Sequence, residues 1–493
     1  MRYPRCATPS MLFNSIEFAV FLPIVFLLYW FVFDYALRRC KHQLFLQNLF
    51  IVVASYIFYG WWNWRFLILI AFTTLCSFLS GIGIERAQSP RMRKAVMTVN
   101  IIINLAILGT YKYYDFFVRS FAELFGCQAD SLLLHLVLPV GISFYTFQAL
   151  SYSIDVYRRQ IQPTHDLVAF TAFLSFFPQL VAGPIERATN LLPQFLQKRH
   201  FDYTQAVDGM RQILWGLFKK IVVADNCATY VDTVFADYAA YSGSTLLLAA
   251  VLFSIQIYGD FSGYSDIAIG TAKLFGIKLM RNFNVPYFSR DIAEFWRRWH
   301  ISLTTWFRDY VYIPLGGKKK HQLLNMAVVW ALTGLWHGAS WNFVLWGLYF
   351  FVILAAEKTI GEKRLRRIPT ILRRVGTMLL VILGWNIFYF TDLTQLLQHF
   401  GLLFGLLGAG FSNAQTGIQL VNNLPLLLVC AIGATSVPQN LGNLFGGVCV
   451  QGGKRSGQIV YACVTFAFDA ALLALSTIAL VGSTYNAFLY FRF

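Results

Sequence analysis

Apolar runs of helical length recur along almost the whole chain and are joined by short polar segments. A transmembrane helix needs about 20 mostly apolar residues. Runs near that length occupy residues 13–33, 44–62, 66–84, 95–111, 132–152, 167–183, 213–223, 244–257, 323–340, 341–356, 375–390, 420–434 and 459–481. Because each run is continuous rather than alternating between apolar and polar residues, the pattern favours helices over the strands of an outer-membrane barrel. We therefore predict an all-α, polytopic integral membrane protein, a single domain over residues 1–493, with about 11 to 13 transmembrane or re-entrant helices around a central polar tunnel.

The composition strengthens this assignment. Of the 493 residues, 57% are hydrophobic and only 13% are charged, whereas a soluble domain carries about 25% charged residues. The chain has 40 Lys and Arg against 23 Asp and Glu, which gives a net charge of +17. These basic residues lie in short loops between the apolar runs, as in the cytoplasmic loops of membrane proteins, so we expect no nucleic-acid partner. The eight cysteines are scattered without a CxxC pair, which indicates small buried residues rather than a disulfide framework.

One histidine lies far along an apolar run. His337, in LTGLWHGASW, is about 22 Å of helical rise beyond Gln322, and a hydrocarbon core is about 30 Å thick. We therefore expect its imidazole inside the membrane, towards the outer half. Desolvation keeps a buried imidazole neutral, which makes it a usable general base; the alternative is a structural hydrogen bond to a neighbouring helix. Gly334 and Gly338 have the small-xxx-small spacing that admits a second helix or a substrate chain.

Residues 291–310 have the periodicity of one amphipathic helix. The apolar side includes Trp296, and His300 falls at the edge of this side. The polar side carries Arg297, Arg298 and Arg308. Guanidinium groups pair well with phosphates, so one interpretation gives these residues the phosphates of a donor substrate. The alternative is an interfacial helix with an aromatic belt.

A third polar cluster is YGDFSGYSD, which places Asp260 and Asp266 at the end of an apolar run with Gly259 and Gly263 beside them. The glycines predict a broken helix. The carboxylates are candidates to orient Arg297 and Arg298 or to line a polar tunnel, and structural ion pairing is favoured. No two histidines have the i, i+4 spacing of a zinc helix, and GxSxG and Gly-rich phosphate loops are absent, so we expect neither a bound metal nor a serine hydrolase.

Several strings together resemble the membrane-bound O-acyltransferase (MBOAT) family, specifically its branch that is similar to the alginate O-acetyltransferase membrane subunit. They span most of the chain. The strings are PVGISFYTFQALSYSIDVYR, FFPQLVAGPIER, YGDFSGYSDIAIG, NFNVPYFSRDIAEFWRRWHISLTTWFRDYVYIPLGG, LTGLWHGASWNFVLWG and the terminal YFRF. MLFNSIEFAVFLP, which begins at Met11, resembles the usual start of that branch, so residues 1–10 are interpreted as an N-terminal extension or a start-site artefact.

The resemblance implies a function and a set of site residues. His337 matches the catalytic histidine of the family, and His300 matches its second polar site residue, which we expect to orient or polarise a thioester. The candidate substrate-binding residues are Trp296, Arg297, Arg298, Arg308, Asp260, Trp336 and Asn342. The implied donor substrate is cytoplasmic acetyl-CoA, with no bound cofactor.

The implied setting is the inner membrane of a bacterium. The resemblance implies a multi-pass protein in contact with lipid, a periplasmic acetyl-transfer partner, and a secreted polysaccharide as final acceptor, as in alginate biosynthesis. Peptidoglycan O-acetylation and D-alanyl transfer to teichoic acid stay open as alternatives. A non-enzymatic polysaccharide exporter that uses the intramembrane charges as a pathway is the alternative from another class.

Overall fold

The structure is a computed structural model that describes residues 11–181, 183–408, 410–435, 437–450, 455–482 and 488. Within these residues the secondary structure is helical and contains no strand. Eight helical segments there are long and apolar enough to cross a membrane: Ile16–Ala36, Gln43–Arg86, Pro90–Phe125, Gly243–Leu274, Trp341–Ile360, Thr370–Tyr389, Ala414–Gly433 and Arg455–Gly482. The predicted all-α, multi-pass membrane class is confirmed, while the number of about 11 to 13 spans stays a prediction. The proposed extension at residues 1–10 and the terminal YFRF lie outside the described residues.

The described residues form two compact units. The first contains the residues up to Ile213 together with Tyr264–Arg281, and the second contains Leu214–Gly263 together with the residues from Asn282 onward. Helices α10 (Tyr203–Leu217) and α12 (Gly243–Leu274) contribute residues to both. The other helices of the first unit are α1 (Ile16–Leu27), α2 (Gln43–Asn63), α3 (Leu67–Arg86), α4 (Pro90–Leu108), α5 (Tyr114–Phe125), α6 (Ile142–Tyr157), α7 (Leu167–Ser175), α8 (Phe177–Leu180) and α9 (Ala188–Phe195). The single domain over residues 1–493 stays a prediction.

The second unit holds the candidate histidines. Its other helices are α11 (Asp225–Ala236), α13 (Ile292–Arg298), α14 (Ile301–Phe307), α15 (Gln322–His337), α16 (Trp341–Ile360), α17 (Glu362–Leu365), α18 (Thr370–Tyr389), α19 (Leu393–Leu403), α20 (Ala414–Gly433), α21 (Val437–Val450) and α22 (Arg455–Gly482). Wider π-helical turns occur in both units, at Leu28–Ala36, Gly109–Tyr113, Phe218–Ala224 and Arg308–Tyr312. Short 3₁₀ turns occupy Trp64–Phe66, Asp130–Leu132, Tyr238–Ala240 and Pro286–Phe288.

Two predicted spans of the first unit are wrong in extent. The run at 132–152 is non-helical from residue 133 to residue 141, and only its second half is helix α6. Gly141 precedes that helix with φ of 75°, and a Cβ there would lie 2.5 Å from the Leu180 carbonyl oxygen, so the turn requires glycine. The run at 167–183 divides at Phe176 into α7 and α8, because Pro178 lacks the N–H that a continuous helix would use and is tolerated only in the first turn of a helix.

The predicted break in the YGDFSGYSD segment is also wrong. Helix α12 is continuous for 32 residues through it. A Cβ on Gly263 would lie 2.7 Å from the Gly216 carbonyl oxygen, and one on Gly259 would lie 3.1 Å from that of Lys219. The glycines therefore permit close packing of two backbones, which is the small-residue function known from membrane helices. The short run at 213–223 is itself part of a longer helical segment, with a π-helical turn at Phe218–Ala224.

The predicted single helix over residues 291–310 is wrong, because the structure has two helices there. Helix α13 ends at Arg298 and α14 begins at Ile301. Between them His300 has φ of 44°, a left-handed conformation that non-glycine residues rarely adopt. The helical period continues across the break, which explains why the sequence pattern did not reveal it.

Backbone pairing with the preceding extended segment holds this break. The Ile301 N–H donates to the Asn282 carbonyl oxygen at 2.9 Å, and the Asn284 N–H donates to the Arg298 carbonyl oxygen at 2.9 Å. These bonds satisfy backbone groups that a continuous helix would pair internally. The conformation of His300 is therefore set by a segment that is distant from it along the chain.

Helices α15 and α16 form a tight antiparallel pair. A Cβ on Gly334 would overlap the Phe343 carbonyl oxygen, and one on Gly347 would overlap the Trp330 carbonyl oxygen. The close approach predicted from the Gly334 and Gly338 spacing is therefore observed. The expected gap for a substrate chain is not, since the Phe343 ring fills the space beside Gly338.

Candidate active site

His337 is the last residue of α15 and is almost buried, with 8% of its surface exposed. Its Nδ1 lies 2.7 Å from the Thr333 carbonyl oxygen. A carbonyl oxygen can only accept a hydrogen bond, so Nδ1 carries the hydrogen and donates it. The basic lone pair of the neutral ring is then on Nε2. The helix end thus selects the tautomer that a general base at this position needs.

His300 lies close to His337 within the second unit. The two imidazole centroids are 6.5 Å apart. The His300 ring also packs edge-on against Phe261 at 4.7 Å and against Trp336 at 5.6 Å, and only 1% of the residue is exposed. The break between α13 and α14 and the end of α15 together bring the two predicted histidines to one place.

Aromatic side chains surround His337. Its ring centroid is 5.0 Å from that of Trp336, 4.9 Å from that of Trp346 and 5.6 Å from that of Phe388. Such apolar walls exclude water and disfavour the imidazolium form. His300 lies outside the candidate membrane spans. Burial lowers its pKa well below the usual value of 6.5, and the proximity of His337 lowers this pKa further. His300 is therefore neutral at physiological pH.

The helix that precedes His300 is anchored at its beginning by charged groups. The Asp291 carboxylate accepts from the Glu294 N–H at 2.7 Å and from Arg373 at 2.7 Å. Glu357 accepts from the Ile292 N–H at 2.7 Å. Carboxylates at a helix beginning satisfy its free N–H groups and its dipole. The orientation of α13, and with it of the break that follows, is thereby fixed.

Glu294 provides a second anchor on the same helix. Its carboxylate accepts from the Arg290 side chain at 2.9 Å and from Arg298 at 2.6 Å. Burial alone would raise the pKa of Glu294, but the hydrogen bonds from Arg290 and the nearby Arg298 charge lower it to about 2. The ionised carboxylate holds both arginines at neutral pH.

Several buried polar atoms in this region have no hydrogen-bond partner among the described residues. These atoms are the two ring nitrogens of His300, Nδ2 of Asn282, Nε1 of Trp296, Nε1 of Trp346 and Oδ1 of Asn342. Buried polar groups are nearly always paired, and each unpaired one costs about 1–3 kcal/mol. Their concentration beside the two buried imidazoles makes this the candidate site for the polar groups of a substrate.

Asp260 is placed differently from the prediction. It does not pair with Arg297 or Arg298; its carboxylate accepts from Lys220 at 2.6 Å, and Lys220 also donates to Asp225 at 2.8 Å. The predicted structural ion pairing of Asp260 therefore holds, but the predicted partners were wrong. The reason is the π-helical turn at Phe218–Ala224, which carries Lys220 to Asp260.

The remaining predicted residues fall into two groups. Trp296, Trp336 and Asn342 are buried in the second unit with the two histidines, and the Asn342 amide donates to the Phe388 carbonyl oxygen at 3.1 Å. The basic residues lie nearer the surface. Arg297 is exposed, Arg298 pairs with Glu294, and Arg308 pairs with Asp309 at 2.6 Å. Phosphate binding by these arginines stays a prediction.

Sequence reasoning missed Asn282, Lys220, Trp346 and Phe388. Lys220 had a usable signal, because a lysine inside an apolar run requires a partner. Asn282 lies in the NFN string that carries the family resemblance, but no spacing rule links it to His300. Trp346 and Phe388 look like ordinary core residues in the sequence.

Comparisons with known proteins identify the family of the chain. Residues 142–398 match the sequence model of the membrane-bound O-acyltransferase family, MBOAT. A probable alginate O-acetylase AlgI of Pseudomonas aeruginosa is 41% identical over 69% of this chain and 66% of its own length. A probable alginate O-acetylase AlgI of Pseudomonas putida is 36% identical over 98% of this chain and 100% of its own. A peptidoglycan O-acetyltransferase of Helicobacter pylori is 31% identical over 98% of each chain.

The fold and the matched residues define a membrane-embedded acyltransferase. The chain belongs to the membrane-bound O-acyltransferase family and is similar over almost its whole length to alginate O-acetylases. It is a multi-pass membrane O-acyltransferase, so the predicted enzyme class is confirmed. A non-enzymatic exporter is accordingly not favoured.

Proposed function

We propose that this chain moves an acetyl group from a cytoplasmic acetyl-CoA towards a secreted polysaccharide, with His337 as general base. The single observation that carries the proposal is the cluster of unpaired polar atoms beside two buried imidazoles, inside an aromatic shell. The cluster lies within the matched residues 142–398. A substrate that pairs with these atoms removes their desolvation cost when it binds.

The chemistry assigned to His337 follows from its tautomer. Nε2 takes the proton from an acceptor hydroxyl while the hydroxyl oxygen attacks the acyl carbonyl carbon. The carbon–sulfur bond then breaks, and the same imidazole returns the proton to the leaving thiolate. The hydrogen bond from Nδ1 to the Thr333 carbonyl, at 2.7 Å, stabilises the positive charge that the ring gains. General base catalysis of this kind typically contributes about 100- to 10,000-fold.

His300 has a supporting role in this proposal. Its ring is neutral and buried, and both ring nitrogens are unpaired among the described residues, so one of them can donate to the thioester. Trp296, Trp336 and Asn342 form walls of the site and bind the substrate. Asp260 acts through its ion pair with Lys220, at 2.6 Å, rather than on the substrate.

The donor enters from the cytoplasmic side and the acceptor from the outside. Three lysines, Lys318, Lys319 and Lys320, precede α15 at the end opposite His337, and basic loops mark the cytoplasmic face. Arg297, Arg298 and Arg308 are assigned to the phosphates of the donor. The protein acts in a bacterial inner membrane, and a periplasmic partner receives the acetyl group before the polysaccharide does.

The acceptor class follows from the relatives. Those named alginate O-acetylase suggest a secreted polysaccharide, and we propose that class. The relative named peptidoglycan O-acetyltransferase makes peptidoglycan the second candidate, since it matches 98% of this chain. Transfer assays with alginate and with peptidoglycan fragments as acceptors distinguish the two candidate acceptor classes.

The test uses purified protein in sealed vesicles with radiolabelled acetyl-CoA on one side and, on the other, the acceptors together with a periplasmic extract that supplies the partner. Label should cross to the acceptor side, and His337→Ala should reduce transfer by about 100- to 10,000-fold with normal insertion. His321→Ala is the matched control, because this exposed histidine precedes the other end of α15. Retained transfer in well-folded His337→Ala protein would remove the mechanism.

A further inference from the structure

Asn282 is a buried residue whose amide orientation is determined by its partners. Its side-chain oxygen lies 3.3 Å from the Ser302 backbone nitrogen and 2.6 Å from the Ser302 hydroxyl. A backbone N–H can only donate, so the atom facing it is the oxygen and not the amide nitrogen. The Nδ2 group, with two hydrogens to donate, therefore points away from Ser302.

That Nδ2 group is buried and has no hydrogen-bond partner among the described residues. The Asn282 backbone lies at the break that holds His300, because its carbonyl oxygen accepts from the N–H of Ile301, the residue after that histidine. Both ring nitrogens of His300 are unpaired in the same part of the structure. A donor amide and an imidazole that lack partners at the same backbone break are unusual in a protein interior.

We propose that Asn282 Nδ2 donates a hydrogen bond to the carbonyl oxygen of the bound acyl thioester. This inference deepens the proposed function and rests on it. When the acceptor hydroxyl oxygen attacks the carbonyl carbon, the electron pair of the carbon–oxygen double bond moves to the oxygen, and negative charge develops there. When the carbon–sulfur bond breaks, that pair returns and the thiolate leaves with the proton held by His337. A preorganised donor at that oxygen stabilises the transition state more than the ground state.

A purely structural role for Asn282 makes different predictions. In that role only the side-chain oxygen and the backbone matter, because they hold Ser302 and Ile301. Asn282→Asp keeps the shape and the accepting oxygen but removes the donating group. Ser302→Ala does the reverse, since it removes the hydroxyl that binds Asn282 and leaves Nδ2 in place.

The kinetic test compares these variants in the vesicle assay. Asn282→Asp should lower kcat by about 100- to 1,000-fold with little change in KM, and the loss relative to wild type should shrink at low pH, where the new carboxyl gains a proton and can donate again. Ser302→Ala should show a much smaller loss. Asn284→Asp, the same substitution at an exposed position two residues away, should retain wild-type turnover. Equal losses in Asn282→Asp and Ser302→Ala would overturn the proposal.

An infrared measurement reads the hydrogen bond itself. In the His337→Ala background, acetyl-CoA labelled with ¹³C at the carbonyl should bind without being consumed, and its carbonyl stretch should lie below the value for free acetyl-CoA. Adding Asn282→Asp should move the band back towards the free value, which turnover does not influence. A lowered band that this substitution leaves unchanged overturns the role of Asn282 alone. Absence of a bound carbonyl band overturns the proposed function and this inference with it.

Discussion

Two buried polar clusters in the second unit differ in how they are paired. Lys220 is 1% exposed and lies between Asp225 and Asp260, with both ion-pair distances below 3 Å. His300 is equally buried, yet its two ring nitrogens have no partner among the described residues. The charged groups of the first cluster are paired with one another, whereas the ring nitrogens of the second have no partner among the described residues.

The difference distinguishes residues that stabilise the fold from residues that are proposed to act on a substrate. A buried charge that lacks a partner would disrupt the fold, so Lys220 and its carboxylates pair with one another. A buried neutral imidazole is far less costly, and it can remain unpaired until a substrate arrives. Burial is therefore insufficient to mark a catalytic group; the state of its hydrogen bonds is the more informative property.

The largest expected effect on stability comes from Lys220. Lys220→Met leaves Asp225 and Asp260 without their shared cation, and breaking a buried ion pair costs about 3–5 kcal/mol. We expect a marked fall in the thermal unfolding temperature of the detergent-solubilised protein. Lys219→Met is the matched control, since Lys219 is half-buried and donates to the Ser262 hydroxyl at 3.1 Å. Similar losses in the two variants would contradict an architectural role specific to Lys220.

The reverse behaviour is expected at His300. His300→Ala should reduce acyl transfer by about 10- to 100-fold, as for loss of a hydrogen bond worth about 1.5–3 kcal/mol, with nearly unchanged membrane insertion and unfolding temperature. His399→Ala is the paired comparison, because His399 is also fully buried but its Nε2 donates to Asn386 at 2.9 Å. That variant should lose stability more than turnover. If His300→Ala loses folded protein and activity in equal measure, His300 belongs with the architecture.

A smaller effect is expected from the close contact between α15 and α16. Gly334→Ala places a methyl group against the Phe343 carbonyl oxygen, and overpacking typically costs about 1–3 kcal/mol. Because the same contact positions the end of α15, turnover should fall with stability. Gly376→Ala on α18 is the control, since a Cβ there meets no atom within 4 Å. Thermal unfolding of the two variants side by side checks the prediction.

The smallest expected effect is the contribution of His300 to the pH dependence of acyl transfer. The proposed reaction uses neutral imidazoles, so activity should be full above their pKa values and fall as the pH drops through them. Burial and the nearby His337 hold the pKa of His300 well below 6.5, so protonation of His300 should contribute to the loss only at pH values well below 6.5. In His300→Ala that part of the acid limb should disappear. An unchanged acid limb in this variant would show that His300 does not titrate in the reaction.

Much of the candidate site was predictable from the residue types and from the sequence motifs in which they lie. His337 was identified as an ionisable residue deep in an apolar run, and His300 as a polar residue at the edge of an aromatic stripe. The break at His300 was not predictable, because residues 291–310 keep the helical period across it. Pairing with the extended residues 282–284 overrides that local preference.

The sequence by itself determined the membrane class, the all-helical fold and the family, because long apolar runs and strings such as LTGLWHGASW require no knowledge of contacts. Tertiary structure decided that α12 is continuous at Gly259 and Gly263, and that Asp260 pairs with Lys220 rather than with an arginine. It also decided which buried polar atoms stay unpaired. Those outcomes depend on which backbone packs against which side chain, and a one-dimensional pattern of apolar and polar residues does not specify that pairing.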